Sequence, residues 1–429
     1  MRYIPPEASL FIRNRQKFAQ KMRPGHIAVF FSSDLAVQNA DSLHAFSQNS
    51  NTWYLTGIDQ EDVVLLLFPD APRKAWREVL FIRKTNKMLL RMEGFKYTAD
   101  EAAKASGIKE VRIEDQFNDL LRSALPFAEG LYLDVNEHEG QKRHSYARVH
   151  AFADRIRQEY PGYPLCRAAP VLRSLRTFKE PEELSQIRIA GSITEKAFRR
   201  VLEFVRPGVW EFEVEAEILH EFIRNRATGP AFPSIVAAGG NACTLHYVQN
   251  KAQCQANDLL LLDFGAEYAH YGADVSRTIP VNGRFTARQK AIYNGVHRVL
   301  LGAKDRLVPG ILLEDYQKEV AELMEQELLE LGLLSSKEVR EQDPRWPAYK
   351  KYFMHGTSHH LGLDTHDLCD RFAPLAPGMV LTVEPGIYVE AEGIGIRLEN
   401  DVVITENGLE DLTQSIPLLA DEVEDLMMG

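Results

Sequence analysis

Cysteine is scarce in this sequence: the 429 residues include four, and none of them forms a CxxC pair. Cys166, Cys243, Cys254 and Cys369 are too scattered for a zinc ribbon or a disulfide framework, which favours a reducing compartment. Long apolar runs are also missing, because no stretch reaches the ~18 apolar residues of a membrane span. The first residues lack the apolar core of a signal peptide. We therefore expect a cytoplasmic protein that does not bind membranes.

Positive charge is in the minority, with 50 Lys and Arg residues against 61 Asp and Glu residues and a net charge of −11. Such a chain has no basic field to bind phosphates, so we exclude nucleic acid as a partner. Hydrophobic residues make up 45% of the chain and charged residues 26%, which is typical of a globular protein. The length is sufficient for two or three domains.

Residues 1–175 are predicted to form a smaller α/β domain. Helical patterns occur at 9–22 and 142–158, and short apolar runs that indicate strands occur at 27–31, 63–68, 79–82 and 131–135. The segment 47–57, SQNSNTWYLTG, is interpreted as a turn followed by a strand. The charged segment 172–181, LRSLRTFKEP, is the predicted boundary, so that residues 176–429 form the second domain.

The second domain shows the same order of elements twice. Each half has a helix, a Pro-Gly pair, a second helix and then strands; the pairs are Pro207-Gly208 and Pro309-Gly310. The strands of each half carry two carboxylates. Although short similar strings can arise by chance, we interpret the pattern as an internal duplication whose two sheets join into one, so that four carboxylates converge.

The stretch 258–278, DLLLLDFGAEYAHYGADVSRT, indicates where chemistry could occur. Four leucines before Asp263 are typical of a buried strand. In a hairpin that turns at Tyr268 and Ala269, Asp263 and Asp274 lie directly opposite each other, where like charges are destabilising. Such a pair requires a shared proton or a cation. On this stretch alone, two aspartates in an exposed loop are an open alternative.

The second half adds histidines and further acids. The segment 354–367, MHGTSHHLGLDTHD, holds four histidines; a lone histidine is more often a core residue than a ligand, but four so close together are harder to explain in that way. Glu384 ends an apolar strand, and Glu399 lies beside Arg397 in another apolar run. Burying an acid is costly unless it is paired or bound to a metal. A surface hairpin with solvated acids is the alternative.

These residues predict a metal site. The inward candidates are Asp263, Asp274, Glu384, Glu399 and at least one histidine. This oxygen-rich set suits manganese, which we expect first, or cobalt, iron or zinc, whereas the lack of thiolates argues against a structural zinc site. Five ligands exceed what one catalytic ion usually takes from protein. We therefore expect two divalent ions ~3.5–4 Å apart that share carboxylates and hold a hydroxide between them.

Four motifs together resemble the pita-bread metallopeptidases, and within them the aminopeptidase P group: DFGAEYAHYGADVSRTIPVNGRFT, HGTSHHLGLDTHD, VEPGIY and IRLENDVVIT. The resemblance covers the C-terminal half almost throughout. Residues 1–175 are similar, more loosely, to the non-catalytic N-terminal domain of that group. The resemblance implies an α/β (α+β) protein in which a duplicated pita-bread catalytic domain, 176–429, follows a smaller α/β domain.

The resemblance also implies roles for individual residues. The implied metal ligands are Asp263, Asp274, His359, Glu384 and Glu399, with Asp274 and Glu399 bridging the two ions. The implied substrate contacts are His246 and His366 at the scissile bond, with His355 and Arg371 elsewhere in the pocket and Arg397 supporting the bridging carboxylate. Two positions depart from some relatives: Phe232 replaces a pocket tyrosine, and Met92 falls near a tryptophan that reaches a neighbouring subunit.

The implied reaction is hydrolysis of the bond between an N-terminal residue and a following proline. Glu384 would act as general base and pass the proton to the proline nitrogen, while His246 and His366 stabilise the oxyanion. The expected partners are peptides with proline at the second position and further copies of the chain, as a homodimer or homotetramer. The alternatives are a prolidase, which cuts only Xaa-Pro dipeptides, and a catalytically silent binding or scaffold member. A methionine aminopeptidase would not need the long N-terminal domain.

Overall fold

The structure is a computed structural model that describes residues 2–137 and 147–428. Two compact units are present: Pro5–Leu175, and Arg176–Gly429 together with Met1–Ile4. Both units mix helices with strands, which confirms the α/β fold class. None of the described helices combines the length and the apolar character needed to cross a bilayer.

The first unit is built on a six-stranded sheet whose strands lie in the order Glu110–Ile113, Glu78–Ile82, Val64–Leu67, His26–Phe31, Gly130–Leu133 and Leu165–Arg167. Its helices are α1 (Ala8–Lys21), α2 (Ser50–Thr56), α3 (Lys87–Glu93), α4 (Ala99–Ser106), α5 (Phe117–Ala124), α6 (Arg148–Glu159) and α7 (Ala169–Arg176), whose last residue, Arg176, belongs to the second unit. Its strands are β1 (His26–Phe31), β2 (Val37–Asn39), β3 (Ser42–Leu43), β4 (Val64–Leu67), β5 (Glu78–Ile82), β6 (Glu110–Ile113), β7 (Gly130–Leu133) and β8 (Leu165–Arg167). Strands β1 and β4 are buried along their whole length, as their continuous apolar sequences require.

Segment 47–57 contains helix α2 and no strand, so its prediction as turn plus strand is wrong. Asn49 caps α2 by accepting hydrogen bonds from the backbone N–H groups of Asn51 and Thr52, and Gly57 ends the helix at φ +66°. These two end signals outweigh the strand preference of the aromatic pair between them. In the predicted helix at 142–158, α6 begins at Arg148, and residues 142–146 lie outside the described part of the chain.

The second unit contains two helix pairs, each followed by a long β-hairpin. Its helices are α8 (Pro181–Phe204), α9 (Glu211–Arg224), α10 (Ala287–Arg306), α11 (Leu313–Glu330), α12 (Ser336–Arg340) and α13 (Ala420–Met428). Its strands are β9 (Gly229–Pro230), β10 (Ile235–Ala238), β11 (Leu259–Phe264), β12 (Ala266–Tyr268), β13 (Tyr271–Gly272), β14 (Val275–Pro280), β15 (Val380–Val383), β16 (Gly386–Val389), β17 (Ile394–Arg397), β18 (Asn400–Thr405) and β19 (Gly408–Asp411). The repeated order of helices and hairpin matches the predicted duplication.

The first hairpin turns one residue later than predicted. Tyr268 pairs with Tyr271, and the turn residues Ala269 and His270 both have positive φ angles, +50° and +67°. Asp263 therefore lies opposite Ser276 and not opposite Asp274. A turn with two positive φ angles is usually signalled by Asn-Gly, and an Ala-His turn carries no such signal.

Gly265 allows the close approach that places Asp274 in this hairpin. A Cβ atom at Gly265 would lie 1.6 Å from the backbone oxygen of Ala273. We expect Gly265→Ala to lower the free energy of unfolding by about 3 kcal/mol or more, because the backbone of the opposite strand must move. Urea unfolding measures the change. The matched control is Gly240→Ala, whose Cβ would meet no atom within 4 Å; an equally small effect of both substitutions would contradict the expectation.

The two halves form separate three-stranded sheets, β10-β11-β14 and β15-β18-β19, so the prediction of one joined sheet is wrong for the described residues. The sheets are nevertheless linked, since the backbone N–H of Glu399 donates to the backbone carbonyl oxygen of Ser276 at 3.0 Å. In the second hairpin, Glu384 lies opposite Glu399, one step beyond the pair of Val383 and Asn400. The link brings the acids of both hairpins together.

Candidate active site

A cavity of about 530 Å³ lies in the second unit. Its wall is formed by Phe232, Pro233, Ile235, Leu245, His246, Val248, Asp263, Asp274, His355, Gly356, Ser358, His359, Thr365, His366, Glu384, Arg397 and Glu399. The structure thus brings together every predicted site residue except Arg371. That side chain is exposed, with its guanidinium carbon 5.0 Å from the ring centroid of Phe372, so its role in the pocket stays a prediction.

The acids from both hairpins converge in this wall. Asp274, His359 and Glu399 each offer a ligand atom, and these atoms lie within 4.8 Å of one another. The Nε2 atom of His359 is 3.5 Å from Asp274 Oδ2 and 3.7 Å from Glu384 Oε1. Hence the strands and the histidine segment, which are distant in sequence, supply a common set of ligand atoms.

Burial and mutual repulsion disfavour the ionised forms of these acids. Burial, with the charges of neighbouring carboxylates, raises the pKa of both Asp274 and Glu399 well above the usual range. Burial also raises the pKa of Glu384 to about 8, where Arg397 opposes the shift and Asp263 adds to it. A divalent cation would remove this repulsion.

The remaining polar atoms fit such a cation. The buried Oδ1 atom of Asp263 accepts no hydrogen bond from the described residues. His359 Nδ1 lies 3.1 Å from the carbonyl oxygen of His360, which can only accept, so the proton is on Nδ1 and the Nε2 lone pair faces the cavity. Burial lowers the pKa of His359 to about 3, which keeps the ring neutral as metal binding requires.

Arg397 connects the acids by hydrogen bonds. Its Nη2 donates to Asp263 Oδ2 at 2.6 Å, and its Nε donates to the Ser276 hydroxyl at 2.8 Å. Ser276 in turn donates to Glu399 Oε2 at 2.7 Å. The resemblance placed Arg397 beside a bridging carboxylate; in the structure it contacts Asp263 directly and Glu399 through Ser276.

Tyr388 fixes the protonation of His355. Arg397 Nη1 donates to the Tyr388 hydroxyl at 2.8 Å, so that hydroxyl donates its own proton to His355 Nε2, also at 2.8 Å. His355 Nδ1 donates to the Gly356 carbonyl at 2.8 Å. Neither Tyr388 nor Ser276 is predicted as a site residue by the sequence. The correct hairpin register would have indicated Ser276, because it lies opposite Asp263.

Two further histidines complete the wall. The rings of His359 and His366 are stacked, with centroids 4.0 Å apart and planes 11° from parallel. His246 follows β10 in a loop that also supplies Leu245 and Val248, and these two side chains make that side of the cavity apolar. The cavity therefore offers acids and imidazoles on one part of its surface and aliphatic groups on another.

Comparison with known proteins agrees with this architecture. Residues 185–406 match the profile of metallopeptidase family M24, and residues 11–132 match the aminopeptidase P N-terminal domain. The chain is 37% identical to the Xaa-Pro aminopeptidase of Escherichia coli strain K12 over 98% of this chain and 97% of that protein. Among solved structures it is similar to E. coli aminopeptidase P with the inhibitor Pro-Leu, with a TM-score of 0.89, 35% identity and 99% of each chain covered. The zinc-substituted E. coli enzyme in complex with product gives the same TM-score at 34% identity and 99% coverage of each chain.

A pita-bread fold whose cavity gathers four carboxylates and neutral imidazoles defines a metallopeptidase. The chain belongs to metallopeptidase family M24. With the N-terminal domain of aminopeptidase P and relatives that match along almost the whole chain, it is a metal-dependent aminopeptidase.

Proposed function

We propose that this enzyme releases the first residue of peptides whose second residue is proline. The observation that carries the proposal is the convergence of Asp263, Asp274, His359, Glu384 and Glu399 in one cavity that also has an apolar side. The relatives support it, since they are called Xaa-Pro aminopeptidases and one is bound to the inhibitor Pro-Leu.

These five side chains would hold two divalent ions, and we propose manganese, with cobalt, iron or zinc as alternatives. When bound, such ions lower the pKa of water from 15.7 to about 7 and polarise the carbonyl group of the substrate. The zinc-substituted relative shows that the related site also accepts zinc. Asp274 and Glu399, which are almost completely buried among the other acids, would be two of the ligands that hold the ions.

Glu384 is the proposed general base. Its Oε1 atom lies 3.7 Å from His359 Nε2 in the cavity wall, where the carboxylate could take a proton from water and return it. It would hand that proton to the leaving proline nitrogen. This nitrogen carries no N–H in the substrate and must be protonated as the bond breaks.

Histidines would orient the substrate at the metal site. We propose that His246 and His366 contact the scissile bond and stabilise the developing oxyanion. His355, held by Tyr388 with its proton on Nδ1, would present a fixed neutral ring to the substrate. The apolar side of the cavity, including Phe232 and Val248, can pack against a proline ring.

The direct test is peptide hydrolysis by the purified chain. With manganese, we expect release of the first residue from an Xaa-Pro-Yaa tripeptide and no release when alanine replaces the proline. Reverse-phase chromatography of the products measures both. Failure of the folded protein to cleave with manganese, cobalt, iron or zinc would refute the proposal. Cleavage of an Xaa-Pro dipeptide alone, with longer peptides left intact, would indicate a prolidase.

We further propose a cytoplasmic homo-oligomer, a dimer or tetramer. The four cysteines are all free, which suits a reducing compartment. Helix α3 buries none of its residues and exposes Met88 by 71% and Met92 by 75%, as expected of a surface that another copy covers. Light scattering of the purified chain measures its mass in solution.

A further inference from the structure

A buried cluster of charges lies next to His366 but outside the cavity wall. Arg176 ends α7, Lys179 follows in the segment before α8, and Asp367 comes directly after His366. Their side chains are only 1–2% exposed. Arg176 Nη2 donates to Asp367 Oδ1 at 2.5 Å and to Asp364 Oδ2 at 2.6 Å, while Lys179 Nζ lies 2.9 Å from Asp367 Oδ2. Each oxygen of Asp367 therefore contacts a different cation.

The backbone around Asp367 connects this cluster to both stacked histidines. The N–H of Asp367 donates to the carbonyl oxygen of His360 at 2.9 Å. The same oxygen accepts the Nδ1 proton of His359 at 3.1 Å. Gly362 lies against the carboxylate, since a Cβ atom there would be 2.2 Å from Asp367 Oδ2. A displaced Asp367 would thus move His366 and also disturb the hydrogen bond that orients His359.

Buried ion pairs are poor stabilisers, because apolar side chains of similar volume often give equal or greater stability. They do fix one arrangement of the groups they join. We propose that Arg176 and Lys179 are positioning residues that hold Asp367, and through it keep His366 stacked on His359 at the cavity wall. The proposal deepens the proposed function and rests on it, because hydrolysis of an Xaa-Pro peptide is one of its two measured effects.

The test is the double variant Arg176→Met with Asp367→Asn in the full chain, assayed with saturating manganese. The variant keeps the net charge of the cluster but leaves the buried Lys179 without its carboxylate partner, so the melting temperature should fall, and kcat is compared at a temperature where the variant is folded. We expect kcat for an Xaa-Pro tripeptide to fall about 10- to 100-fold, with KM and bound metal little changed. A purely structural cluster predicts wild-type kcat once the variant is folded.

Hydrogen exchange supplies a readout that does not depend on activity. In the metal-free chain, the peptide covering residues 359–368 should exchange faster in the double variant, because the Asp367 N–H bond to His360 is weakened. The matched control is Arg188→Met with Glu410→Gln, which removes an exposed pair with a 2.7 Å contact in the same unit. This control should keep wild-type kcat and wild-type exchange in that peptide.

The outcomes separate the two proposals. Wild-type protein that cleaves no Xaa-Pro peptide refutes the proposed function, whereas the exchange measurement still decides whether Asp367 is held as proposed. A double variant with wild-type kcat and wild-type exchange overturns the positioning role. If the double variant does not fold, Arg176→Lys replaces it, since lysine keeps the charge but lacks the planar guanidinium. A kcat about 10-fold lower at unchanged KM and metal content then supports the proposal, and wild-type kcat overturns it.

Discussion

Replacing Glu384 with glutamine is expected to lower kcat for an Xaa-Pro tripeptide by about 10³-fold, because positioned proton transfer contributes 10²–10⁴-fold in enzymes. Glutamine has nearly the same volume, so the second hairpin should fold as before. The amide, however, cannot take a proton from water or return it to the proline nitrogen.

Glu384 is also a proposed metal ligand, so the loss must be separated from a loss of metal. The measurement is kcat at saturating manganese, with bound metal determined on the same sample. Glu390→Gln is the matched control, since Glu390 is an exposed acid directly after β16, the strand that follows Glu384, and should leave kcat unchanged. A Glu384→Gln enzyme with full metal occupancy and kcat within tenfold of the wild type would remove Glu384 from the role of base.

The acids and histidines that line the cavity could be predicted as a group from the sequence, because acids in apolar strands and clustered histidines have few structural explanations. Asp263, Asp274, Glu384 and Glu399 each interrupt or end an apolar run, and all four line the cavity. The duplication of helix pair and hairpin was likewise visible, since two Pro-Gly junctions recur in the same order. What composition and spacing cannot supply is the distance between two hairpins.

The register of the first hairpin and the hydrogen-bond partners of the acids were also not predictable from composition and spacing. The Ala269-His270 turn has no turn signal and lies one residue later than predicted, so the residue opposite Asp263 is Ser276, two positions beyond Asp274. Asn49 and Gly57 do signal a helix at both ends, but the aromatic residues Trp53 and Tyr54 between them favour a strand. The predicted role of Arg371 rested only on the resemblance, because nothing in the surrounding sequence required a buried side chain at this position.

Removing the metal ions is expected to abolish hydrolysis and to make the stability of the protein depend on pH. Burial raises the pKa of Asp274, Glu399 and Glu384 in the folded, metal-free state above the unfolded values near 4, to about 8 for Glu384. The folded state then binds more protons than the unfolded state between about pH 4 and pH 8, so stability falls as pH rises through this range. Bound cations neutralise the ionised acids and should cancel the loss.

The corresponding measurement is the melting temperature at pH 5.5 and at pH 8, with manganese and after chelation. We expect the metal-free protein to lose roughly 5–10 °C between these two pH values relative to the metal-loaded protein. The variant Asp274→Asn with Glu399→Gln provides the internal comparison, because neutral amides need no proton; without metal at pH 8 it should melt above the metal-free wild type. If chelation lowers the melting temperature equally at both pH values, repulsion between the ionised acids does not destabilise the metal-free protein. The explanation of this cavity as a cation site then loses its physical basis.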